Sequence, residues 1–367
     1  MRGLYIHIPF CKSKCNYCGF YSVTNLCENT VGKYFKALLQ DIGDYENLYF
    51  DTIYIGGGTP TVISAKILND FFEKLFGIIE FSNKEFTVEA NPESLNEKHL
   101  KVFNNYKVNR ISLGVQSTDK NVLKFLGRIH EPQDVDISLN SIERLMPDCQ
   151  VNLDFIYDIP EIPVELQKRS LQGILHYEPH HISAYSYSFD TDFLKEYSGR
   201  DISEELFLFV KDKLTNKGYK HYEVSNFAKK GCESRHNKIY WMMKEYAGIG
   251  AAAHSMIINE NGKRIRFEKP DNVSKYIKKP QVKINLTEIS FNEMFKEEIV
   301  FGLRMLDGIN IENLTAKYGK SVEKFLYYCK TMTDEGFLQK EGENICVTEK
   351  GLLLLESLSE YFWSLEL

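Results

Sequence analysis

The stretch LYIHIPFCKSKCNYCGF, residues 4–20, runs from an apolar strand segment through a proline into a loop carrying Cys11, Cys15 and Cys18. A buried strand that stops at a turn and is followed at once by three thiols puts reactive groups at the C-terminal end of a strand. Five further β-rich runs follow: TIYIGGG from Thr52, FTVEA from Phe86, RISLGV from Arg110, VNLDFIY from Val151 and HISAYSY from His181. Helical spacing fills most of the gaps, as in Tyr34, Leu38, Leu39 and Ile42 after the first run and Leu68, Phe71, Phe72, Leu75 and Phe76 after the second. Alternating strand and helix predict right-handed βαβ units and a parallel sheet, an α/β fold closed or partly closed into a barrel of (β/α)6 type. The distinctive motifs fall at the strand ends of that barrel: the cysteines, GGGTPT, EANPES, GVQS and DFIYDIP.

The cysteine spacing C-x3-C-x2-C lets one loop fold three sulfurs around a common centre, and two metals suit it. Structural zinc wants four closed ligands, usually in two separated pairs, and the second pair is missing here unless His7 or a distant cysteine supplies it. An iron–sulfur cluster held by three thiolates leaves one iron for a ligand from outside the chain. The other cysteines, Cys27, Cys149, Cys232, Cys329 and Cys346, are scattered and read as small core or surface residues.

Composition narrows the class. The chain has 367 residues, 43% of them hydrophobic, with a net charge of −6, which gives ample core and no reason to expect a nucleic-acid partner. No run is apolar enough to span a bilayer, although peripheral membrane contact stays open. The first residues, MRGLYIHIP, hold no apolar run of signal-peptide length, so the expected compartment is the cytoplasm, where thiols stay reduced and a cysteine cluster reads as a metal site.

From about Leu286 the character changes to helical, with Ser290 and Glu293 spaced as a capping box. The tail MTDEGFLQKEGENICVTEKGLLLLESL, from Met332, predicts a helix end, a short hairpin and a final helix, a winged-helix-like module for packing or partner docking. The expected division is a barrel over 1–225, a connecting segment over 226–285 carrying HNKIYW and GIGAAAHS, and the module over 286–367. GIGAAA, from Gly248, has the outline of a dinucleotide fingerprint, but no convincing βαβ unit surrounds it.

Taken together, YIHIPFCKSKCNYCGFYS, YIGGGTPT, VEANPES, RISLGVQS, VNLDFIYDIP, YEVSNFA and HNKIYW…YAGIGAAAHS resemble the radical S-adenosylmethionine (SAM) superfamily, in its coproporphyrinogen-dehydrogenase-like branch. The resemblance covers nearly the whole chain. It implies a [4Fe-4S] cluster on Cys11, Cys15 and Cys18, with SAM completing the odd iron. It further implies SAM contacts from Tyr5, Gly57, Gly58, Thr59, Glu89, Gln116, Arg128 and Asp154. Phe20 stands where the dehydrogenases carry a further cysteine, and the cluster begins only eleven residues in. Both departures resemble the heme chaperone subgroup, which implies heme or porphyrin as cargo, recipient hemoproteins as partners, His236 of HNKIYW as a heme ligand, and pairing into a homodimer. The alternative that the branch implies is an oxygen-independent coproporphyrinogen III oxidase, which forms protoporphyrinogen IX by radical decarboxylation. Asp158 replaces a glycine usual in the branch, and the alanines 251–253 are unusual; both leave the pocket's shape open.

Overall fold

The computed structural model describes residues 1–24, 27–46, 48–187 and 203–365. Six parallel strands follow one another in chain order: β1 (Gly3–Ile8), β2 (Tyr49–Gly57), β3 (Glu80–Ala90), β4 (Arg110–Gln116), β5 (Gln150–Tyr157) and β6 (His181–Ser186). Their six runs are those that the sequence marks.

Each of these strands is two-faced. Leu4, Ile6, Ile8, Ile53, Ile55, Phe86, Val88, Ile111 and Leu113 are fully buried in the core cluster, alongside the apolar stripes of the intervening helices. The helix Glu28–Ile42 contributes Val31, Tyr34, Phe35, Leu38 and Ile42 at helical spacing, and Ala65–Leu75 contributes Leu68, Phe71, Phe72 and Leu75. Each such aliphatic side chain taken from water contributes about 1.5–3 kcal/mol. The alternate positions are polar: Tyr5, His7, Thr52, Tyr54, Glu85, Thr87, Glu89, Arg110, Ser112, Asn152, Asp154, Ser183 and Tyr185. Parallel strands covered on both sides are usually apolar throughout, so a polar second face implies a wet interior. Short caps start the helices just beyond the strand ends: Asn96 accepts from the amides of Lys98 and His99, and Asp119 from those of Asn121 and Val122.

The barrel is not closed. Beyond β6 the sheet continues antiparallel through β8 (Asn226–Ala228) to β7 (Lys220–Glu223); beyond β1 it continues through β9 (Tyr246–Ile249) and then antiparallel through β10 (His254–Ile258), β11 (Arg264–Glu268) and β12 (Ile284–Glu288). One sheet of twelve strands results, in the order β12-β11-β10-β9-β1-β2-β3-β4-β5-β6-β8-β7. Segment 226–285, expected as a connector, therefore belongs to the barrel's own sheet, with β9 parallel to β1. GIGAAA forms the end of β9 and the turn into β10, with no following helix, which removes the dinucleotide reading.

The C-terminal module holds the helices Phe291–Gly302, Ile311–Tyr318 and Ser321–Asp334, a three-stranded sheet of β13 (Ile309–Asn310), β14 (Leu338–Glu341) and β15 (Asn344–Val347), and a closing pair of helices, Glu349–Leu353 and Leu355–Ser364. The capping box forms as the sequence predicts, with Ser290 and Glu293 exchanging hydrogen bonds at 3.2 and 2.8 Å. The module touches both ends of the open sheet. At the β7 end, the Val224 amide donates to the Arg304 carbonyl (2.9 Å) and the Leu306 amide to the Tyr222 carbonyl (3.1 Å). Near the other end, Arg264 and Arg266 of β11 pair with Glu298 (3.2 Å) and Glu297 (2.7 Å). Among the described residues, no helix is long and apolar enough to cross a membrane.

Candidate functional site

A cavity of about 770 Å³ occupies the barrel interior, and every site residue named from the sequence lines it: Tyr5, Cys11, Cys15, Cys18, Gly57, Gly58, Thr59, Glu89, Gln116, Arg128, Asp154 and His236. They divide between two poles.

The first pole is the cysteine loop beyond β1. Pro9 ends the ladder, and the loop is pinched at its base where the Cys11 amide donates to the Val23 carbonyl (3.0 Å) and the Val23 amide to the Pro9 carbonyl (2.7 Å). Asn16 ties its far side to the Phe125 and Leu126 carbonyls at 2.8 and 3.1 Å. The Thr59 hydroxyl donates to Cys11 Sγ (3.6 Å), and Arg128 to Cys15 Sγ (3.5 Å) and to the Gly114 carbonyl (2.7 Å). Burial pushes the Cys11 and Cys18 thiols up, so both are neutral until a metal takes their protons' place. Among the described residues no three His, Cys, Asp or Glu side chains converge as one small ion requires. A structural zinc takes four ligands from the chain, whereas a cluster held by three thiolates leaves one iron open. None of the other five cysteines lines the cavity, and both ring nitrogens of His7 are engaged, by the Tyr5 hydroxyl and the Tyr21 carbonyl, each at 2.9 Å. The site thus offers three thiols and no fourth, which fits a [4Fe-4S] cluster completed from outside the chain.

A Cβ on Gly56 would meet the Glu89 carboxylate at 2.6 Å, and one on Gly58 the Phe10 carbonyl at 2.7 Å. Gly57, at φ +103°, would meet the His7 ring at 2.3 Å. The glycines therefore make room for neighbouring strands, and through them hold the Glu89 carboxylate in place.

In the lumen, Glu89 accepts from the Tyr54 hydroxyl (2.7 Å) and the Gly57 amide (3.1 Å). Burial, with Asp154 adding to it, raises the Glu89 carboxyl from 4.5 to about 7. Asp154, expected at a strand end, lies mid-strand in β5, where Asn152 donates to it at 2.7 Å and Ser112 at 3.5 Å; burial raises its carboxyl too. Gln116 ends β4 at φ +64°, a strained position for a residue with a side chain. Asp158 has φ +59°, which explains why a glycine suits that place.

His236 marks the second pole. It sits on the short helix Arg235–Trp241, whose first amides, with the Ser234 hydroxyl, donate to Glu85. Its ring lies against Gly3 and Thr52, at the start of β1 and in the first half of β2, at the opposite end of the strands from the cysteines. The ring is 1% exposed and stacks on Tyr54 at 5.2 Å. Nδ1 is hydrogen-bonded to Thr52 Oγ1 (2.7 Å) and Nε2 to the Tyr240 hydroxyl (2.9 Å). Burial, and Arg110 after it, lowers this histidine to about 3, so the ring is neutral.

Sequence reasoning passed over Tyr54, Arg110, Asn152, Ser183, Tyr185 and Tyr240, which line the same cavity. All but Tyr240 sit at alternate strand positions, and that alternation was the available signal.

Residues 5–166 match the radical SAM superfamily, and residues 289–354 match the HemN C-terminal domain. Over its whole length the chain is 33% identical to the heme chaperone HemW of Lactococcus lactis (98% of this chain, 97% of that one) and 31% identical to that of Bacillus subtilis (96% and 97%). The chain belongs to the HemW family. The Escherichia coli HemW, at 30% identity over 98% of this chain, is a further relative. The solved structure of the coproporphyrinogen III oxidase HemN from E. coli superposes with a TM-score of 0.82 over 99% of this chain and 90% of that one, at 20% identity, which establishes the shared fold. In this HemW-family chain the radical SAM match takes in the cysteine loop and β1 to β5, and the HemN C-terminal match falls on the module that braces the open sheet.

Proposed function

We propose that this chain is a heme chaperone: it takes up heme in the barrel interior and passes it to recipient hemoproteins, on a scaffold that holds a [4Fe-4S] cluster and SAM. The observation that carries this reading is one continuous cavity, lined by aromatic rings and polar side chains, with three thiols at one pole and the His236–Tyr240 pair at the other. Cys11, Cys15 and Cys18 hold the cluster, which when bound offers one-electron chemistry and an open iron for SAM. Tyr5, Gly57, Gly58, Thr59, Glu89, Gln116, Arg128 and Asp154 bind and orient SAM: the carboxylates meet its positive groups or ribose hydroxyls, and Arg128 its carboxylate. The setting is the cytoplasm, where thiols stay reduced. Self-pairing and peripheral membrane contact belong to the same proposal and are read by sedimentation and vesicle flotation of the heme-loaded chain.

The rival activity, oxidative decarboxylation of coproporphyrinogen III, is separated by one anaerobic assay offering heme, coproporphyrinogen III, SAM and reductant, read by mass spectrometry. Stoichiometric heme uptake with coproporphyrinogen III unchanged is the expected result. Formation of protoporphyrinogen IX would overturn the chaperone reading.

Glu89 gives SAM binding a pH signature. In the empty chain its neutral form stabilises the fold fully below its ordinary value of 4.5, and that contribution is lost as pH rises through about 7. A ligand that prefers the ionised carboxylate must remove that proton at low pH. SAM affinity should therefore rise roughly tenfold between about pH 6 and about pH 8, measured calorimetrically on cluster-loaded protein, and Glu89→Gln should flatten that rise. An equally steep rise in the Gln variant would remove Glu89 from the site.

A further inference from the structure

His236 is the evident imidazole of the second pole, yet the atom it would offer a metal is covered. A metal bonds along the nitrogen lone pair, at about 2.0–2.1 Å for zinc, and that line from Nε2 is occupied by the Tyr240 hydroxyl at 2.9 Å. Nδ1 faces Thr52 Oγ1 at 2.7 Å, against the first residues of β1. Tyr54 is stacked on the ring, which is 1% exposed. Tyr240 is placed differently. Its side chain is half-buried on the cavity wall, its ring held edge-on to Tyr246 at 4.7 Å, and its hydroxyl hydrogen-bonds to His236.

From this geometry, and resting on the heme-binding reading above, we propose that Tyr240 supplies the oxygen ligand to a ferric porphyrin entering the lumen, and that His236 is its positioning partner. A neutral imidazole donates from one nitrogen and accepts at the other. With the Thr52 hydroxyl donating to Nδ1, Nε2–H donates to the Tyr240 oxygen, a bond that survives loss of the phenol's proton and leaves a lone pair of that oxygen for the iron. Tyrosinate is an established axial ligand for heme iron. The step balances without redox change. Ferric porphyrin arrives carrying hydroxide, an Fe–O(Tyr240) bond forms, and the Fe–OH bond breaks as hydroxide leaves with the phenol's proton as water. An anionic oxygen donor favours ferric over ferrous iron, so reduction loosens the hold, a property that suits a carrier which must let go.

The test titrates ferric heme into the full-length wild type, Tyr240→Phe, His236→Gln and His236→Ala, read by electronic absorption, electron paramagnetic resonance and resonance Raman. Tyr240→Phe keeps the ring and its packing on Tyr246, and the wild-type spectrum is informative without any variant. The expected result is a high-spin ferric complex with phenolate vibrations in the wild type. Tyr240→Phe should lose those vibrations and bind about tenfold more weakly or worse, while His236→Gln should keep them with a looser hold. A wild-type low-spin imidazole spectrum that survives Tyr240→Phe and vanishes in His236→Ala would overturn the assignment and leave heme binding standing. No heme uptake by the wild type would overturn the heme-binding reading itself, and the assignment with it.

Discussion

Alanine at Cys11, Cys15 and Cys18 together is expected to leave the chain colourless and without iron after anaerobic reconstitution, where the wild type turns brown and takes up a full cluster. These three are the only cysteines on the cavity wall among the described residues. Burial keeps the Cys11 and Cys18 thiols protonated before loading, so loading releases protons and should proceed further as pH rises. Arg128 donates to Cys15 Sγ at 3.5 Å and so fixes where that sulfur sits in the loop. Cys329, buried at 2% exposure in the C-terminal module, is the matched control, and its alanine variant should load normally. Iron retained by the triple variant, or a single zinc found in the wild type, would refute the assignment of the loop.

Lys269→Met should cost about 3–5 kcal/mol of folding stability, the penalty for stranding a buried charge. Lys269 and Asp41 are both fully buried, with Nζ donating to Oδ1 at 2.5 Å and to the Pro280 carbonyl at 3.1 Å. The other Asp41 oxygen accepts from the Tyr276 hydroxyl (2.8 Å) and the Gly250 amide (3.4 Å). Next to it, Tyr34 donates to the His7 carbonyl and accepts from the Ala251 amide, both at 2.8 Å. This network ties the helix Glu28–Ile42, the end of β1 and the β9–β10 turn together directly beneath the cysteine loop. Urea unfolding of the empty chain measures the cost. The double variant Lys269→Met with Asp41→Leu should recover much of it, because no buried charge is then left alone. A loss under about 1 kcal/mol in the single variant would mean that water reaches the pair.

The six central strands were legible because each combines β-branched or aromatic residues with period-two alternation, and because amphipathic helices of ordinary length separate them. The strands beyond them were not. β9 is buried but only four residues long and includes Gly248, too short for a period to be read, and β12 is mostly exposed, so it carries no buried stripe. The candidate site was legible wherever chemistry and spacing coincide, as in the cysteine loop, and illegible where it depends on which way a strand faces. Arg110, Tyr54 and Asn152 are ordinary polar residues in sequence and become cavity wall only once the sheet curls. Asp154 looked like a strand-end carboxylate because its strand runs on for three residues past it, through Tyr157. At Gly56, Gly57 and Gly58 the Glu89 carboxylate, the His7 ring and the Phe10 backbone leave no room for a Cβ, a crowding that shows only once the strands are side by side.

The bracing of the open sheet by the C-terminal module has a mechanical consequence. A fully hydrogen-bonded barrel has a fixed girth, since widening it means tearing a ladder of main-chain bonds from end to end. Here part of the circumference is a buckle: two backbone hydrogen bonds, donated by the Val224 and Leu306 amides, on one side, and the arginine–glutamate pairs of β11 on the other. Letting out that buckle would enlarge the bore while every rung between β1 and β6 stays intact, so the width of the cavity is set by its two clasps and not by the staves that hold the thiols.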